Sequence, residues 1–178
     1  MRAAQVAALN ANALRLEYRC KFVLFSEEIK MLMGVPKILS PEIVATLCEM
    51  GHSDVIVVGD ANFPGKRFAD EGGCKFLRAD GLSGTALLEA ILSVIPCDAY
   101  AEKPVKLMQT MDCDRQLDIP IWSEYKKIVS RHNDRGEEAI GFLDRFEFYD
   151  QAKKAYCIIQ SGEEAIYANI MIQKGVIK

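Results

Sequence analysis

The chain has no run of lysine and arginine interleaved with aromatic side chains, and its formal charge over 178 residues is −3. Binding nucleic acid draws on a positive excess that neutralises phosphates, so no nucleic-acid partner is expected. No apolar stretch approaches the roughly 20 residues that span a bilayer, and no secretory pattern of basic, apolar and small-residue regions is evident. A cytoplasmic protein without a membrane partner is the expectation. Six cysteines, Cys20, Cys48, Cys74, Cys97, Cys113 and Cys157, include no pair spaced by two residues, which removes the zinc knuckle and the dithiol redox motif. Most are expected to be reduced core residues.

Histidine is scarce too, with only His52 and His132 present. A metal site built from His52, Asp54, Asp60 and His132 would have no closely spaced ligand pair on one helix face, so no metal is expected. Gly81 and Gly84 fall short of a dinucleotide fingerprint. Gly65, Lys66 and Arg67 lack the upstream glycine and the Ser/Thr of a phosphate loop, and no G-x-S-x-G elbow raises a serine nucleophile. Redox, nucleotide and acyl-transfer chemistry therefore lose support, and no cofactor is expected.

What is present is the composition of one soluble globular domain: half of the residues are hydrophobic and 26% are charged. Residues 1–30 stand apart, rich in alanine, with Arg15 and Arg19 but no serine or acid before residue 17. They are read as an extension outside the main fold, leaving residues 31–178 as the domain. Ser40 is a helix N-cap, Pro41 suits the first helical position and Glu42 the first turn. Ile43, Val44, Leu47 and Met50 then share a face, and Gly51 can supply a left-handed stop.

Residues 55–58 form a continuous β-branched run suited to a strand buried on both faces. A second strand is expected around Phe76 and Leu77, a helix along Leu87, Leu88, Ile91, Leu92 and Ile95 up to Pro96, and a strand at 105–111. A loop with Asp112, Asp114 and Asp118 precedes a helix opened by Pro120, with Trp122, Tyr125, Ile128 and Val129. A short helix near 148–154 and strands at 156–159 and 169–172 complete a single α/β layered domain, a central β-sheet with flanking helices.

Chemistry concentrates around the 55–58 strand. His52 precedes it and Asp60 follows it, then Ala61, Asn62, Phe63 and Pro64. An imidazole titrates near neutrality and can move a proton without a metal or organic cofactor, and a carboxylate can bind sugar-like hydroxyls or orient the ring. A capping histidine at a helix end is the alternative from these residues alone.

Ordered blocks across the chain carry a resemblance. They are Val35, Pro36, Lys37, Ile38, Leu39, Ser40 and Pro41; Met50, Gly51 and His52; Asp60 to Pro64; Arg78, Ala79, Asp80, Gly81 and Leu82; Arg145, Phe146, Glu147, Phe148 and Tyr149; and Tyr167, Ala168, Asn169 and Ile170 followed by Lys174 and Gly175. Together they resemble the D-ribose pyranase / L-fucose mutarotase family, in particular its animal members, which also place a motif like Pro120, Ile121 and Trp122 before a helix. Residues 1–30 have no counterpart there, Ser53 stands where glycine is usual, and the loop at 66–73 is variable.

The resemblance implies the D-ribose pyranase-like fold and a cofactor-independent isomerase interconverting the α and β anomers of L-fucose. It also implies a homo-oligomer, commonly a decameric ring, with the pocket near a subunit boundary. By position, His52 becomes the acid-base residue, Asp60, Arg145, Tyr167 and Asn169 become sugar contacts, and Tyr149 an additional candidate. Arg145 pairing with Asp144 or Glu147, Asn169 starting a strand, and tyrosines satisfied in the core are the structural alternatives. The functional alternatives are turnover of another monosaccharide such as D-ribose, or sugar binding without turnover.

Overall fold

Ser40 opens the first helix among the described residues, α1 (Pro41–Glu49), with its hydroxyl accepting from the Ile43 N–H at 3.3 Å. The computed structural model describes residues 32–177, so the expectation for residues 1–30 lies outside the described residues. Gly51 does not end α1 in a left-handed turn. Met50 caps the helix in extended backbone, and the positive φ falls on Ser53, at 70°. The reason is local hydrogen bonding: Asp54 Oδ2 accepts from the Gly51 N–H at 2.7 Å, while the Ser53 N–H donates to the Lys174 carbonyl at 2.9 Å. The turn is thereby tied to the residue that follows the last strand of the chain, the antiparallel neighbour of the strand the turn leads into. A β-branched side chain tolerates this conformation poorly, so Ser53→Val should lower stability by about 1–2 kcal/mol. An unchanged melting temperature would contradict the left-handed turn.

The remaining elements alternate along the chain: β1 (Val55–Gly59), α2 (Gly65–Gly72), β2 (Lys75–Ala79), α3 (Gly84–Leu92), β3 (Val105–Met108), α4 (Pro120–His132), β4 (Ile140–Leu143), α5 (Arg145–Ala152), β5 (Cys157–Ser161) and β6 (Ile170–Gln173). The strands form one sheet in the order β2-β5-β1-β6-β3-β4. Only β6 runs against its neighbours, antiparallel to β1 and β3, whereas β1–β5, β2–β5 and β3–β4 are parallel. The carboxyl ends of the five other strands and the amino end of β6 therefore share one edge of the sheet.

Successive side chains of a strand point to opposite faces, and β1 uses both. Ile56 and Val58 pack with Ile43, Leu47, Leu87, Ile91, Tyr125 and Val129 from α1, α3 and α4. Val57 packs with Phe68, Phe148 and Ala152 from α2 and α5. The result is helices on both faces of a mixed sheet.

Three departures from the sequence reading are physical. The segment at 66–73, read as a loop, is α2, a charged helix that buries Phe68 and Ala69. The four-residue β4 went unread, and α5 begins at Arg145 because Asp144 Oδ1 accepts from the Phe146 and Glu147 N–H groups at 2.8 and 3.0 Å. β3 stops at Met108; further on, the Met111 N–H donates to a tyrosine hydroxyl rather than to a strand.

Candidate active site

At the end of β1 the ring of Phe63 occupies the place a Gly59 side chain would take: a Cβ there would lie 2.7 Å from the ring. Residues 60–64 fold back accordingly, with the Asn62 N–H donating to Asp60 Oδ1 at 2.9 Å. The antiparallel register, Val58 opposite Ile170, sets Asn169 beside Asp60. The two pair reciprocally. Asp60 donates its backbone N–H to Asn169 Oδ1 at 2.9 Å, and Asn169 Nδ2 donates to Asp60 Oδ2 at 2.7 Å. Gln160 Nε2 donates to the Asp60 carbonyl.

Asp60 is only 6% exposed. Burial pushes its carboxyl above the ordinary value, and the hydrogen bonds from Asn62, Asn169 and neighbouring backbone offset that only in part. A buried carboxylate whose local donors already fix its orientation is a preorganised acceptor for a hydroxyl group.

Tyr167 precedes β6 with φ at 58°. That backbone is clamped by α4: Trp122 Nε1 donates to the Tyr167 carbonyl and the Tyr125 hydroxyl to the Ala168 carbonyl, each at 3.0 Å. The clamp aims the Tyr167 hydroxyl at Asp114, to whose Oδ2 it donates at 2.5 Å, while accepting from the Met111 N–H at 3.2 Å. Burial, then the bond to Asp114, raises the Tyr167 hydroxyl above its usual value, so it remains a donor at neutral pH. Arg145, the first residue of α5, donates from Nε to the Tyr149 hydroxyl at 2.7 Å, with its guanidinium 5.2 Å from that ring. The contact holds the cation at the cleft's rim.

Asp60, Arg145, Tyr149, Tyr167 and Asn169, all anticipated from the sequence, line one cleft of about 290 Å³. Asn62, Phe63, Pro64, Met108, Asp114 and Ile166 line it too and were not anticipated. Asp114 was visible only as one acid of a loop. A volume near the lower end of the roughly 300–1,000 Å³ range for ligand pockets suits one small polar molecule. Another cavity, about 230 Å³, is walled by Val35, Leu39, Val44, Leu47 and Ile95 among others and offers hydroxyl groups little to bond. Among the described residues, no group of three or more His, Cys, Asp or Glu side chains is disposed to hold a metal ion.

His52 is not in the cleft. It precedes β1 whereas Asp60 follows it, and five residues of strand at about 3.3 Å each separate the two by roughly 16 Å. There His52 Nε2 lies 3.1 Å from Asp98 Oδ2.

The model of a family described as "RbsD / FucU transport protein family" matches residues 33–177. The fucose mutarotase of Homo sapiens is 42% identical over 148 residues, spanning 82% of this chain and 94% of that protein. The crystal structure of FucU from Bifidobacterium longum superposes with a TM-score of 0.78 at 47% identity, over 82% of this chain and 99% of that one. The fucose mutarotase of Streptococcus pneumoniae in complex with L-fucose gives a TM-score of 0.75 at 38% identity, over 83% of this chain and all of that one. The sheet and its helices are the D-ribose pyranase-like fold that the motifs implied.

Proposed function

The chain belongs to the RbsD / FucU transport protein family, and from that premise we propose that it interconverts the α and β anomers of L-fucose, the activity its relatives are named for. The observation that carries the site assignment is convergence: residues from β1's end, α5 and the approach to β6, far apart in sequence, line a single cleft.

Mutarotation removes the proton from the anomeric hydroxyl, breaks the bond from the anomeric carbon to the ring oxygen, and returns a proton to that oxygen. Reclosure on the other face of the carbonyl reverses each step. The Asp60 carboxylate accepts a sugar hydroxyl, Arg145 and Asn169 supply directional donors, and Tyr167, whose own proton is held by Asp114, offers its remaining lone pair as an acceptor. His52 exchanges one of the protons. Because His52 lies a strand's length from its own chain's cleft, the histidine serving a cleft comes from a second copy. The working form is then a homo-oligomer, a decameric ring in the family reading, with the cleft at a boundary between copies.

The cytosol is the proposed compartment. Cys48, Cys74, Cys97, Cys113 and Cys157 are free thiols, as a reducing compartment keeps them, and among the described residues no helix is long and apolar enough to cross a membrane. Residues 1–30 are an extension dispensable to the catalytic fold, since the family match begins at residue 33. A chain beginning at Met33 should keep both its anomer exchange and, by light scattering, a mass several times that of one chain. A monomer, or a loss of exchange, would contradict this.

The substrate assignment is tested by saturation-transfer NMR on L-fucose, D-ribose and D-galactose in parallel. Fastest exchange on L-fucose is expected. Faster exchange of either other sugar would reassign the substrate, and protein that binds L-fucose without accelerating its exchange would be a sugar-binding protein.

A further inference from the structure

The surroundings of His52 are more elaborate than a solvated helix end requires. Asp98 is 2% exposed, yet it is a carboxylate directed at a histidine ring that is 44% exposed. Its Oδ2 lies 3.1 Å from His52 Nε2, and accepts from Gln173 Nε2 at 3.0 Å and from the Ser53 hydroxyl at 3.3 Å. Its Oδ1 accepts from the Tyr100 N–H at 2.9 Å. The Tyr100 ring meets the His52 ring edge-on, with centroids 5.7 Å apart.

The backbone of this loop is itself fastened. Arg135 donates from Nη2 to the Asp98 carbonyl at 3.1 Å, and from Nη1 to the carbonyls of Ala101 and Glu102 at 2.9 and 3.2 Å. The end of β6 holds both sides of the pair: the Gln173 carbonyl accepts from the Asp98 N–H and the Lys174 carbonyl from the Ser53 N–H, each at 2.9 Å.

We infer that Asp98 is a positioning residue that fixes the protonation pattern of His52, with the proton on Nε2 and the lone pair on Nδ1, so that Nδ1 is the atom through which His52 exchanges a proton with the sugar. An ionised carboxylate only accepts hydrogen bonds, and a neutral imidazole carries one donor nitrogen and one acceptor nitrogen. The nitrogen facing Asp98 is therefore the N–H, which leaves Nδ1 as the base. Burial disfavours the charge on Asp98, but the donors Tyr100, His52 and Ser53 outweigh it and hold the carboxyl below its usual value, which keeps it an acceptor. Orientation of a catalytic imidazole by a carboxylate on its far nitrogen is a general device for selecting one tautomer.

The inference rests on the proposed mutarotation for its catalytic meaning, whereas its structural content is measurable without substrate. Long-range ¹H–¹⁵N correlation spectra of ¹⁵N-histidine-labelled protein distinguish the two neutral tautomers. With only two histidines in the chain, a His132→Gln variant assigns the signals. The Nε2–H form is expected for His52, and an Nδ1–H form in the wild-type protein would overturn the inference whatever the variants do. Asp98→Asn should weaken that tautomer preference and lower kcat for L-fucose exchange about tenfold or more, with KM changed less than about twofold because the cleft lies elsewhere on the chain. An Asp98→Asn protein with wild-type kcat would also overturn it. Absence of exchange in the wild-type protein would instead count against the L-fucose reading, leaving the tautomer to be decided by the spectra.

Discussion

Replacing His52 with alanine should slow L-fucose anomer exchange by on the order of 10²- to 10⁴-fold, the usual contribution of a positioned acid-base side chain. The fold should survive. The ring is 44% exposed, and Asp98 keeps the Ser53, Gln173 and Tyr100 donors. Losing one of four donors to a buried carboxylate costs about 1–3 kcal/mol, visible as a modest fall in melting temperature. Because the sugar-holding groups are untouched, KM should change far less than kcat. Wild-type exchange with an unaltered circular dichroism spectrum would make His52 purely structural.

Asp60→Asn should have the second-largest effect, through binding. A charge-assisted hydrogen bond to a sugar hydroxyl contributes about 1.5–3 kcal/mol, so KM for L-fucose should rise roughly 10- to 100-fold. The local hydrogen bonds are also disturbed, because an amide nitrogen at position 60 would face either Asn169 Nδ2 or the Asn62 N–H, and turning Asn169 over would set its nitrogen against the residue-60 backbone N–H. That cost is offset by removing a carboxylate that burial disfavours when charged. The native state holds the Asp60 proton to higher pH than the unfolded chain does, so Asp60 withdraws stability as pH rises from the ordinary carboxylate value through its raised one. Asparagine withdraws none. Thermal melts across the acid range should therefore favour Asp60→Asn progressively as pH increases, and a constant difference would show that Asp60 is not perturbed by burial.

Much of this fold is legible where the signal is local. The Ser40 and Pro41 start, the β-branched run of β1 and the Pro120 start of α4 each need only a few adjacent residues. α2 was illegible because its eight residues bury only Gly65, Phe68 and Ala69, too few to set a period. β4 is four residues long and contains Gly141. The site divides the same way. Family motifs named five of the polar residues that line the cleft and passed over Asn62 and Asp114, and nothing local reveals that Asp60 meets Asn169, 109 residues away, since antiparallel register brings them together. His52 and Asp60 give the opposite lesson. They flank one strand and look like partners in sequence, yet an extended strand carries them to opposite edges of the sheet. Asp98, the actual partner of His52, gave no signal because the contact depends on how β6 gathers two distant loops.

That separation makes the shared site the proposition on which the mechanism turns, and co-expressing the His52→Ala and Asp60→Asn chains tests it. In randomly mixed oligomers, a working site needs its histidine from an Asp60→Asn chain and its cleft from a His52→Ala chain, each chosen half the time. Saturation-transfer NMR at an L-fucose concentration well below KM should then find roughly a quarter of wild-type exchange, far above either variant assembled alone. Exchange no higher than the average of the two separate variants, in oligomers verified to contain both chains, would mean that one chain supplies the whole site and that His52 does not reach a neighbour's cleft.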